Sequence, residues 1–442
     1  MKLFNPSLKV SNYSFYLLLN FILISSTLVG QLSIIESEII SKAETYNQES
    51  IDLLGKLVNI NSGTLNIKGV KEVGILLSNE YKKIDFNTRW IDMPVEMNRA
   101  GHLFASTPDQ KRIKGKKLLL IGHLDTVFEA DSPFQEFEIK DGVAYGPGAN
   151  DMKGGNVVIL FALKVLHDLK LLDKASITVA LTGDEESTGK PLSISRGDLI
   201  EIAKKSDIAL GFENSTGFNY ATVARRGSSG WQVDVTGKRS HSSSIFGEET
   251  GAGAVFEMSR ILNEFYTEVR GETYLSFNPG LLLGGTFVNF DGAQSKGDTF
   301  GKSNVVAQTA IVKGGLRFIT EDQKSSARTK MKEIVDNNLP KTSATIKFID
   351  SYPAMGPSEE NEVILKKLNQ VSLDMGQDSV IAYDPGKRGA ADISFVAKYL
   401  ACLDGLGTMG TGAHTTNETV NLETLNLLIQ RSAVLIYRLI NE

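Results

Sequence analysis

Cysteine is nearly absent from this sequence, since Cys402 is the only one among 442 residues. A single cysteine excludes a disulfide within the chain and also a cysteine-based zinc cluster. Any metal site must therefore be built from histidine and carboxylate side chains. Cys402 lies in the apolar run YLACLDGL and is predicted to be a small, buried hydrophobic residue.

An excess of positive charge is also absent. The chain has 47 Lys and Arg residues against 52 Asp and Glu residues, which gives a net charge of −5, and the two signs are mixed along the sequence. Without a basic stripe to neutralise phosphates, a nucleic-acid partner is not expected. We interpret the small acidic balance as a contribution to solubility.

Long apolar runs are lacking everywhere except near the N-terminus. There Lys2 and Lys9 precede the run YSFYLLLNFILISSTLVG, which is typical of a secretory signal. We therefore predict that residues 1–30 are a signal peptide cleaved near Gly30, and that the protein is exported to a periplasm or secreted. An uncleaved membrane anchor is the alternative, because the run is nearly long enough to span a bilayer. Once the signal is removed, no membrane segment is expected.

Strand-like apolar runs alternate with helical patterns through residues 31–226 and again through residues 354–442. The runs KKLLLIGHLDTV, SITVALTGDEE and DIALGFENST all end in polar residues. This alternation predicts an α/β catalytic domain with a doubly wound mixed sheet, whose ligand site lies beyond the carboxyl ends of the strands. One amphipathic helix is predicted over Ile34–Ile60.

The pattern changes between residues 227 and 353. An alternating stretch (SSGWQVDVTGKRSHSS), a helical stretch, two further strand-like runs, a helix and a last strand-like run follow one another. This order predicts an α+β, ferredoxin-like domain with an antiparallel sheet, inserted into the first domain.

Histidine is scarce, with five in the chain. His123 ends a predicted strand and His414 lies in the Gly-rich loop GTMGTGAHTTNE, so both fall where ligands collect in such a fold. His167, within a helical pattern, and His102, in RAGHLFA, are predicted to be structural. His241, in the loop GKRSHSS, has no chemical role that the pattern alone indicates.

Acidic residues accompany the same strand ends. Asp125 follows His123 by two residues, so both side chains point to one face of an extended chain, where the acid can orient the imidazole or ligate a metal. Asp151 opens a loop-to-helix junction and Glu213 ends a strand; taken singly, these are a helix cap and an exposed acid. Together with the two histidines they indicate a metal site that suits zinc, manganese or cobalt.

The stretch LTGDEESTG places three acids side by side at the end of a strand. Adjacent like charges repel unless positive charge lies among them. Glu185 and Glu186 are therefore further candidates for the metal site. Asp184 is predicted to be a turn or capping acid.

Five motifs in order, GHLDTV, GPGANDMKGG, TGDEESTG, FENS and GAH, resemble those of the co-catalytic zinc carboxypeptidase and aminoacylase family. That family includes glutamate carboxypeptidases, succinyl-diaminopimelate desuccinylase and peptidase T. The resemblance implies two zinc ions, replaceable by cobalt or manganese, with Asp151 bridging them. His123 and Glu213 would complete one metal site, and Glu186 and His414 the other.

The resemblance also implies roles beyond metal binding. Glu185 matches the general base, Asp125 the residue that orients the metal-bound histidine, and the peptide bond after Asp151 is expected to be cis. The inserted domain is expected to form a homodimer and to lend His241 to the oxyanion in the partner subunit.

Two further substrate-binding residues follow from the resemblance. Asn304, in SNVV, matches an Asn near the oxyanion, and Arg317, in GGLRF, matches an Arg that pairs with the substrate carboxylate. One departure is that ENSTGFNYATVARRG lacks the Lys with which glutamate carboxypeptidases bind the substrate side chain. Arg225 or Arg226 is the nearest replacement, at a different spacing.

The sequence thus predicts a di-zinc hydrolase that cleaves an amide or peptide bond next to a carboxylate, as a carboxypeptidase does. The substrate would be a small peptide or an N-acyl amino acid. The alternatives are an N-acyl amino acid deacylase or dipeptidase of the same family, and a non-catalytic exported peptide-binding relative. A dinuclear aminopeptidase is disfavoured, because those enzymes lack the inserted domain.

Overall fold

The computed structural model describes residues 31–108, 113–292 and 294–442. The predicted signal peptide lies outside these ranges, so export and cleavage remain predictions. Within the described ranges, we find no helix that combines the length and apolar character needed to cross a bilayer.

The helices and strands follow the predicted alternation. The described α-helices are α1 (Ile34–Glu44), α2 (Asn47–Val58), α3 (Ile67–Lys83), α4 (Gly154–Asp168), α5 (Leu192–Ser195), α6 (Gly197–Ala203), α7 (Ala254–Glu264), α8 (Glu321–Asp336), α9 (Glu359–Asp374) and α10 (Leu422–Leu439). The described strands are β1 (Asn87–Ile91), β2 (His102–Ser106), β3 (Lys117–His123), β4 (Glu138–Lys140), β5 (Val143–Tyr145), β6 (Ser176–Thr182), β7 (Ile208–Gly211), β8 (Tyr220–Ala221), β9 (Gly227–Gly237), β10 (Ser276–Gly285), β11 (Phe287–Asp291), β12 (Lys296–Phe300), β13 (Thr309–Phe318), β14 (Thr342–Asp350), β15 (Ile381–Ala382), β16 (Ala401–Leu403), β17 (Gly410–Thr411) and β18 (Thr419–Asn421).

The central sheet has six strands in the order β1-β2-β6-β3-β7-β16. Strands β6, β3, β7 and β16 are parallel, whereas β1 and β2 pair antiparallel on one side. His123 on β3 lies opposite Thr182 on β6, and Ile121 lies opposite Gly211 on β7. The carboxyl ends of these three strands therefore meet at one edge, which confirms the doubly wound mixed α/β fold.

Both faces of this sheet are covered, and β3 shows why. Its side chains alternate between two hydrophobic cores: Leu118 and Leu120 belong to one, Leu119 and Ile121 to the other. A strand buried on both faces needs an unbroken apolar run rather than an alternating one. Helix α4 lies in the larger core and packs against α10.

The inserted residues form a separate four-stranded antiparallel sheet in the order β10-β13-β9-β14. With α7 and α8 between its strands, the chain runs β-α-β-β-α-β, which is the predicted ferredoxin-like arrangement. Its own core centres on Trp231, which is fully buried, donates through Nε1 to the carbonyl of Gly315 at 3.0 Å, and meets the Phe265 ring edge-on. The hairpin of β11 and β12, which the sequence pattern did not indicate, projects from this unit with mostly exposed side chains.

The prediction of one helix over Ile34–Ile60 is wrong, because the chain turns at Tyr46 between α1 and α2. Tyr46 leaves the helical conformation, with φ −98° and ψ 3°. Its hydroxyl bonds to Asp168 and its ring packs 5.7 Å from that of Phe161, both on α4. Tertiary contact with α4 thus sets the break, which the helical periodicity does not reveal.

Leu160 on α4 offers a test of this core. Leu160→Ala removes a side chain that is 1% exposed and should lower the free energy of unfolding by about 2–5 kcal/mol, since the cavity cannot fully collapse. Leu373→Ala, on α9 and 39% exposed, is the matched control and should cost less than about 1 kcal/mol. Urea unfolding followed by circular dichroism measures both, and equal losses would contradict the assignment of the core.

Candidate metal centre

Three neighbouring strand ends bring the predicted ligands together. His123 is the last residue of β3, Glu185 and Glu186 follow β6, and Glu213 follows β7. Because these strands are parallel and adjacent, residues far apart in sequence share one edge of the sheet. His123 is 1% exposed, and the three glutamates are largely screened from water.

Asp151 reaches the same edge from the turn before α4. The peptide bond between Asp151 and Met152 is cis, as the resemblance implied. The buried carboxylate of Glu418 holds this turn by accepting hydrogen bonds from the main-chain N–H groups of Gly148, Asn150 and Asp151 at 3.2, 2.8 and 2.8 Å.

The two oxygens of Asp151 face different histidines. Oδ1 lies 3.2 Å from Nε2 of His123, and Oδ2 lies 3.2 Å from Nε2 of His414. His123 Nε2 also lies 3.6 Å from Glu213 Oε1, and His414 Nε2 lies 3.2 Å from Glu186 Oε2. Two ligand groups, each able to hold a metal ion, therefore share one carboxylate.

Asp125 supports this cluster from behind. Its carboxylate accepts hydrogen bonds from the N–H groups of Glu185 and Glu186 at 3.0 and 3.1 Å, and from the Thr64 hydroxyl at 2.6 Å. His123 Nδ1 lies 3.0 Å from the main-chain oxygen of Asp125, closer than the 3.5 Å to its carboxylate. Asp125 therefore contacts the imidazole mainly through its backbone, while its side chain holds the loop that carries the glutamates.

The electrostatics of the cluster favour the binding of cations. Burial raises the pKa of Glu213 to about 8, and the charge of Asp151 adds to the shift. Burial also raises the pKa of Glu186 and lifts that of Glu185 well above its usual range. Oε1 of Glu186 is buried without a hydrogen-bond partner in the described part of the chain. Crowded acids with an unused oxygen, beside two imidazoles, fit a pair of divalent cations.

Comparison with known proteins agrees with this geometry. Residues 119–438 match the family model described as peptidase family M20/M25/M40. The chain belongs to this family. M20 members are metal-dependent hydrolases, and the family resemblance carried by the five motifs is thereby confirmed.

Three proteins similar to this M20 chain match along most of its length. Carboxypeptidase G2 from Pseudomonas sp. (strain RS-16) is 28% identical over 411 residues, covering 90% of this chain and 91% of the relative. Aminopeptidase PepT from Bacillus cereus ATCC 10987 has a similar structure, with a TM-score of 0.72 at 17% identity over 89% of this chain and 98% of that one. YXEP from Bacillus subtilis, described as a dinuclear metal-binding peptidase of the M20 family, has a TM-score of 0.62 at 13% identity, covering 89% and 98%.

Not every predicted site residue joins the cluster of this M20 chain. His241 and Asn304 are both exposed on the inserted unit, where Ser242 N–H donates to the Asn304 carbonyl at 2.9 Å. Within the described ranges, no hydrogen bond or ion pair links either side chain to the acidic cluster. Arg317 likewise lies apart, on β13.

The remaining histidines are structural, as predicted. His102 Nε2 lies 2.7 Å from the Ser195 carbonyl, and its Nδ1 accepts from the N–H of Gly183 at 3.1 Å. His167 lies 3.1 Å from both Asp85 and Asp168 at the surface. Neither belongs to a described group that could hold a metal.

Asp184 is more than the turn acid that the sequence suggested. It accepts a hydrogen bond from Gly189 N–H, as a turn acid does, but it is fully buried and its carboxylate also pairs with Arg196 at 2.5 Å. Arg196 in turn binds Asp392 at 2.8 Å. This buried ion network lies beneath the loop of Glu185, and it escapes sequence reasoning because the partners are far apart along the chain.

Glu418 is the support residue that the sequence analysis missed. It stands in the Gly-rich loop already singled out for His414, GTMGTGAHTTNE, and is fully buried. A glutamate that accepts hydrogen bonds from three backbone N–H groups cannot be recognised from the side chains around it in sequence. Every residue except proline has such an N–H group. Its place in that loop was the one available signal.

Metal content tests the two-site geometry. The protein should bind about two divalent cations per chain, Glu213→Ala and Glu186→Ala about one each, and Asp151→Ala almost none, because Asp151 serves both groups. Inductively coupled plasma mass spectrometry after gel filtration measures this. Asp131→Ala, at an exposed loop position, is the control. Retention of both metals by Asp151→Ala would contradict the shared carboxylate.

Proposed function

We propose that this protein is a di-zinc hydrolase that cleaves an amide or peptide bond next to a carboxylate, as a carboxypeptidase. The observation that carries the proposal is the Asp151 carboxylate between His123 and His414, 3.2 Å from each. Glu213 completes the first ligand group and Glu186 the second. Cobalt or manganese suits the same donors.

When bound, the two cations supply Lewis acidity that activates a water and polarises the scissile carbonyl. Glu185 takes the proton from that water and delivers it to the leaving amine. Its position supports this role, since a carboxylate oxygen of Glu185 lies within 4.8 Å of ligand atoms of His123 and Glu186. Asp125 keeps the main chain of Glu185 in place through the N–H contact at 3.0 Å.

A pair of arginines supports a substrate with a free carboxylate. Arg317 and Arg226 lie close enough that burial and the charge of Arg226 lower the pKa of Arg317. Neither has a carboxylate partner among the described residues, and Arg226 bonds only to the Gly386 carbonyl and, at 3.5 Å, to the Ser276 hydroxyl. Two guanidinium groups without an acid favour an anionic ligand.

Arg225 and Arg226 are the two candidates to replace the Lys with which glutamate carboxypeptidases bind the substrate side chain. Arg226 is the better candidate. Arg225 is 3% exposed and is held by Asp404 at 2.5 Å and by the Gly389 carbonyl at 2.9 Å. Its charge is therefore already compensated. The substrate class that follows is a C-terminal residue of a small peptide or an N-acyl amino acid.

A homodimer completes the proposal. His241 and Asn304 lie next to each other on the exposed surface of the inserted unit, where a partner subunit could contact them. The same unit exposes apolar side chains on α7 and β10, among them Phe256 and Leu282, at 52% and 53%. We propose that His241 of one subunit donates to the oxyanion in the other. Export to a periplasm or secretion belongs to the same proposal and depends on residues 1–30.

A non-catalytic peptide-binding relative is the second candidate, and Glu185 separates the two. Glu185→Gln should keep its metals and lose roughly 10²–10⁴-fold in kcat, because it removes the proton acceptor. Hydrolysis of C-terminal dipeptides, N-acyl amino acids and folate-like glutamates by zinc-loaded protein measures this. Glu138→Gln, on the exposed strand β4, is the control. Wild-type protein that hydrolyses none of these would support the binding protein instead.

If each active site uses residues of both subunits, two inactive variants should complement each other. If His241 acts across the dimer, mixing Glu185→Gln with His241→Ala should restore about a quarter of wild-type activity after subunit exchange, because half of the dimers are then mixed and each carries one intact site. Each variant alone is the baseline. Activity that stays at the baseline, although mass spectrometry shows mixed dimers, would place His241 in its own subunit's site or outside any site.

A further inference from the structure

The loop that carries Glu185 and Glu186 is bound to the hinge of the inserted unit as well as to the catalytic sheet. The chain enters this unit at Arg225 and leaves it at Met355, and the two backbones pair there with N–H to carbonyl distances of 2.8 and 3.1 Å. Tyr352 lies in the outgoing hinge segment, and its carbonyl accepts from Ser228 N–H at 2.8 Å.

The side chain of Tyr352 crosses from this hinge to the loop. Its hydroxyl donates to the carbonyl of Glu185 at 2.5 Å and accepts from the Thr188 hydroxyl at 2.8 Å. Its ring packs against Phe395 of the catalytic domain at 5.0 Å. The phenol therefore fixes the main chain at the residue that we propose as the general base.

A second contact joins the same two segments. Lys190 Nζ donates to the carbonyl of Asp350, at the end of β14, at 3.1 Å. The Asp350 carboxylate is in turn held by Arg328 of α8 at 2.6 Å. The loop is thus tied to the inserted unit at both of its ends.

The loop is also held by the catalytic domain. Asp125 binds its N–H groups, and Arg99 donates to the carbonyl and hydroxyl of Ser187 at 2.6 and 2.9 Å. A change in the angle of the inserted unit would therefore pull on a loop that the catalytic domain also holds.

We propose that Tyr352 is a positioning residue that couples the orientation of the inserted unit to the placement of Glu185. The proposal rests on the proposed function, in which Glu185 moves the proton. Tyr352 acts through the main chain of Glu185 and does not touch the reacting atoms. Hinge-borne contacts of this kind affect catalysis because displacements of about 1 Å at a catalytic group can cost roughly 10²-fold in rate.

Tyr352→Phe tests the coupling, since it keeps the ring on Phe395 and deletes the hydroxyl. We expect kcat to fall roughly tenfold or more, KM to stay within about twofold, and metal content to stay at the wild-type level. Tyr437→Phe, on α10 near the amino end of the sheet, is the matched control and should leave all three unchanged. An unchanged kcat, or a loss of metal that accounts for the fall, would overturn the proposal.

Thr188→Val provides a second variant in the same network. The Thr188 hydroxyl donates to the Tyr352 hydroxyl at 2.8 Å and lies 3.5 Å from the Glu185 carbonyl. Because its short contact is with Tyr352, adding Thr188→Val to Tyr352→Phe should cost little more than Tyr352→Phe alone. Losses that multiply in full would show independent roles and contradict the coupling.

Amide hydrogen exchange separates this proposal from the proposed function. The N–H groups of residues 183–190 should exchange faster in Tyr352→Phe than in wild type, whether or not either protein turns over substrate. Unchanged exchange would overturn the coupling. If the wild-type protein hydrolyses no substrate, the proposed hydrolase function is contradicted. The exchange result then still decides the role of Tyr352.

Discussion

The burial of several carboxylates side by side at one edge of a parallel sheet is the constraint on which the rest of this structure depends. Asp151, Glu186 and Glu213 meet two imidazoles there, with Glu185 beside them. Anions crowded in this way repel one another and resist ionisation unless cations lie among them. The same crowding makes the site suitable for a pair of metal ions, and the adjacent acids of LTGDEESTG make physical sense only with that positive charge.

Further acids hold this cluster in place, and they do so through the backbone. Asp125 binds the N–H groups of Glu185 and Glu186, and Glu418 binds those around Asp151. An acid that accepts several main-chain N–H groups at once fixes the backbone conformation of the turn that carries them. The outer acids therefore fix the turns, and the inner acids are left free to bind metal or move protons.

The inserted unit has its own core and meets the catalytic domain at a paired hinge. Its fold was predictable, because the order of strand-like and helical patterns leads to one common arrangement. The hairpin of β11 and β12 was not. Whether residues of one unit reach another depends on the hinge and on a partner subunit, and periodicity carries no information on either.

The sequence by itself determined the fold class, and it placed candidate histidines and acids at one edge of the sheet, because parallel strands bring their polar ends together. The assignment of individual ligands followed from the family resemblance. It did not determine the break at Tyr46, the ion pair of Asp184 with Arg196, or the contacts of Glu418 and Tyr352. Those were decided by tertiary structure, since they join distant segments or use main-chain N–H and carbonyl groups. Every residue except proline carries both groups, so only the packed fold selects which of them meet.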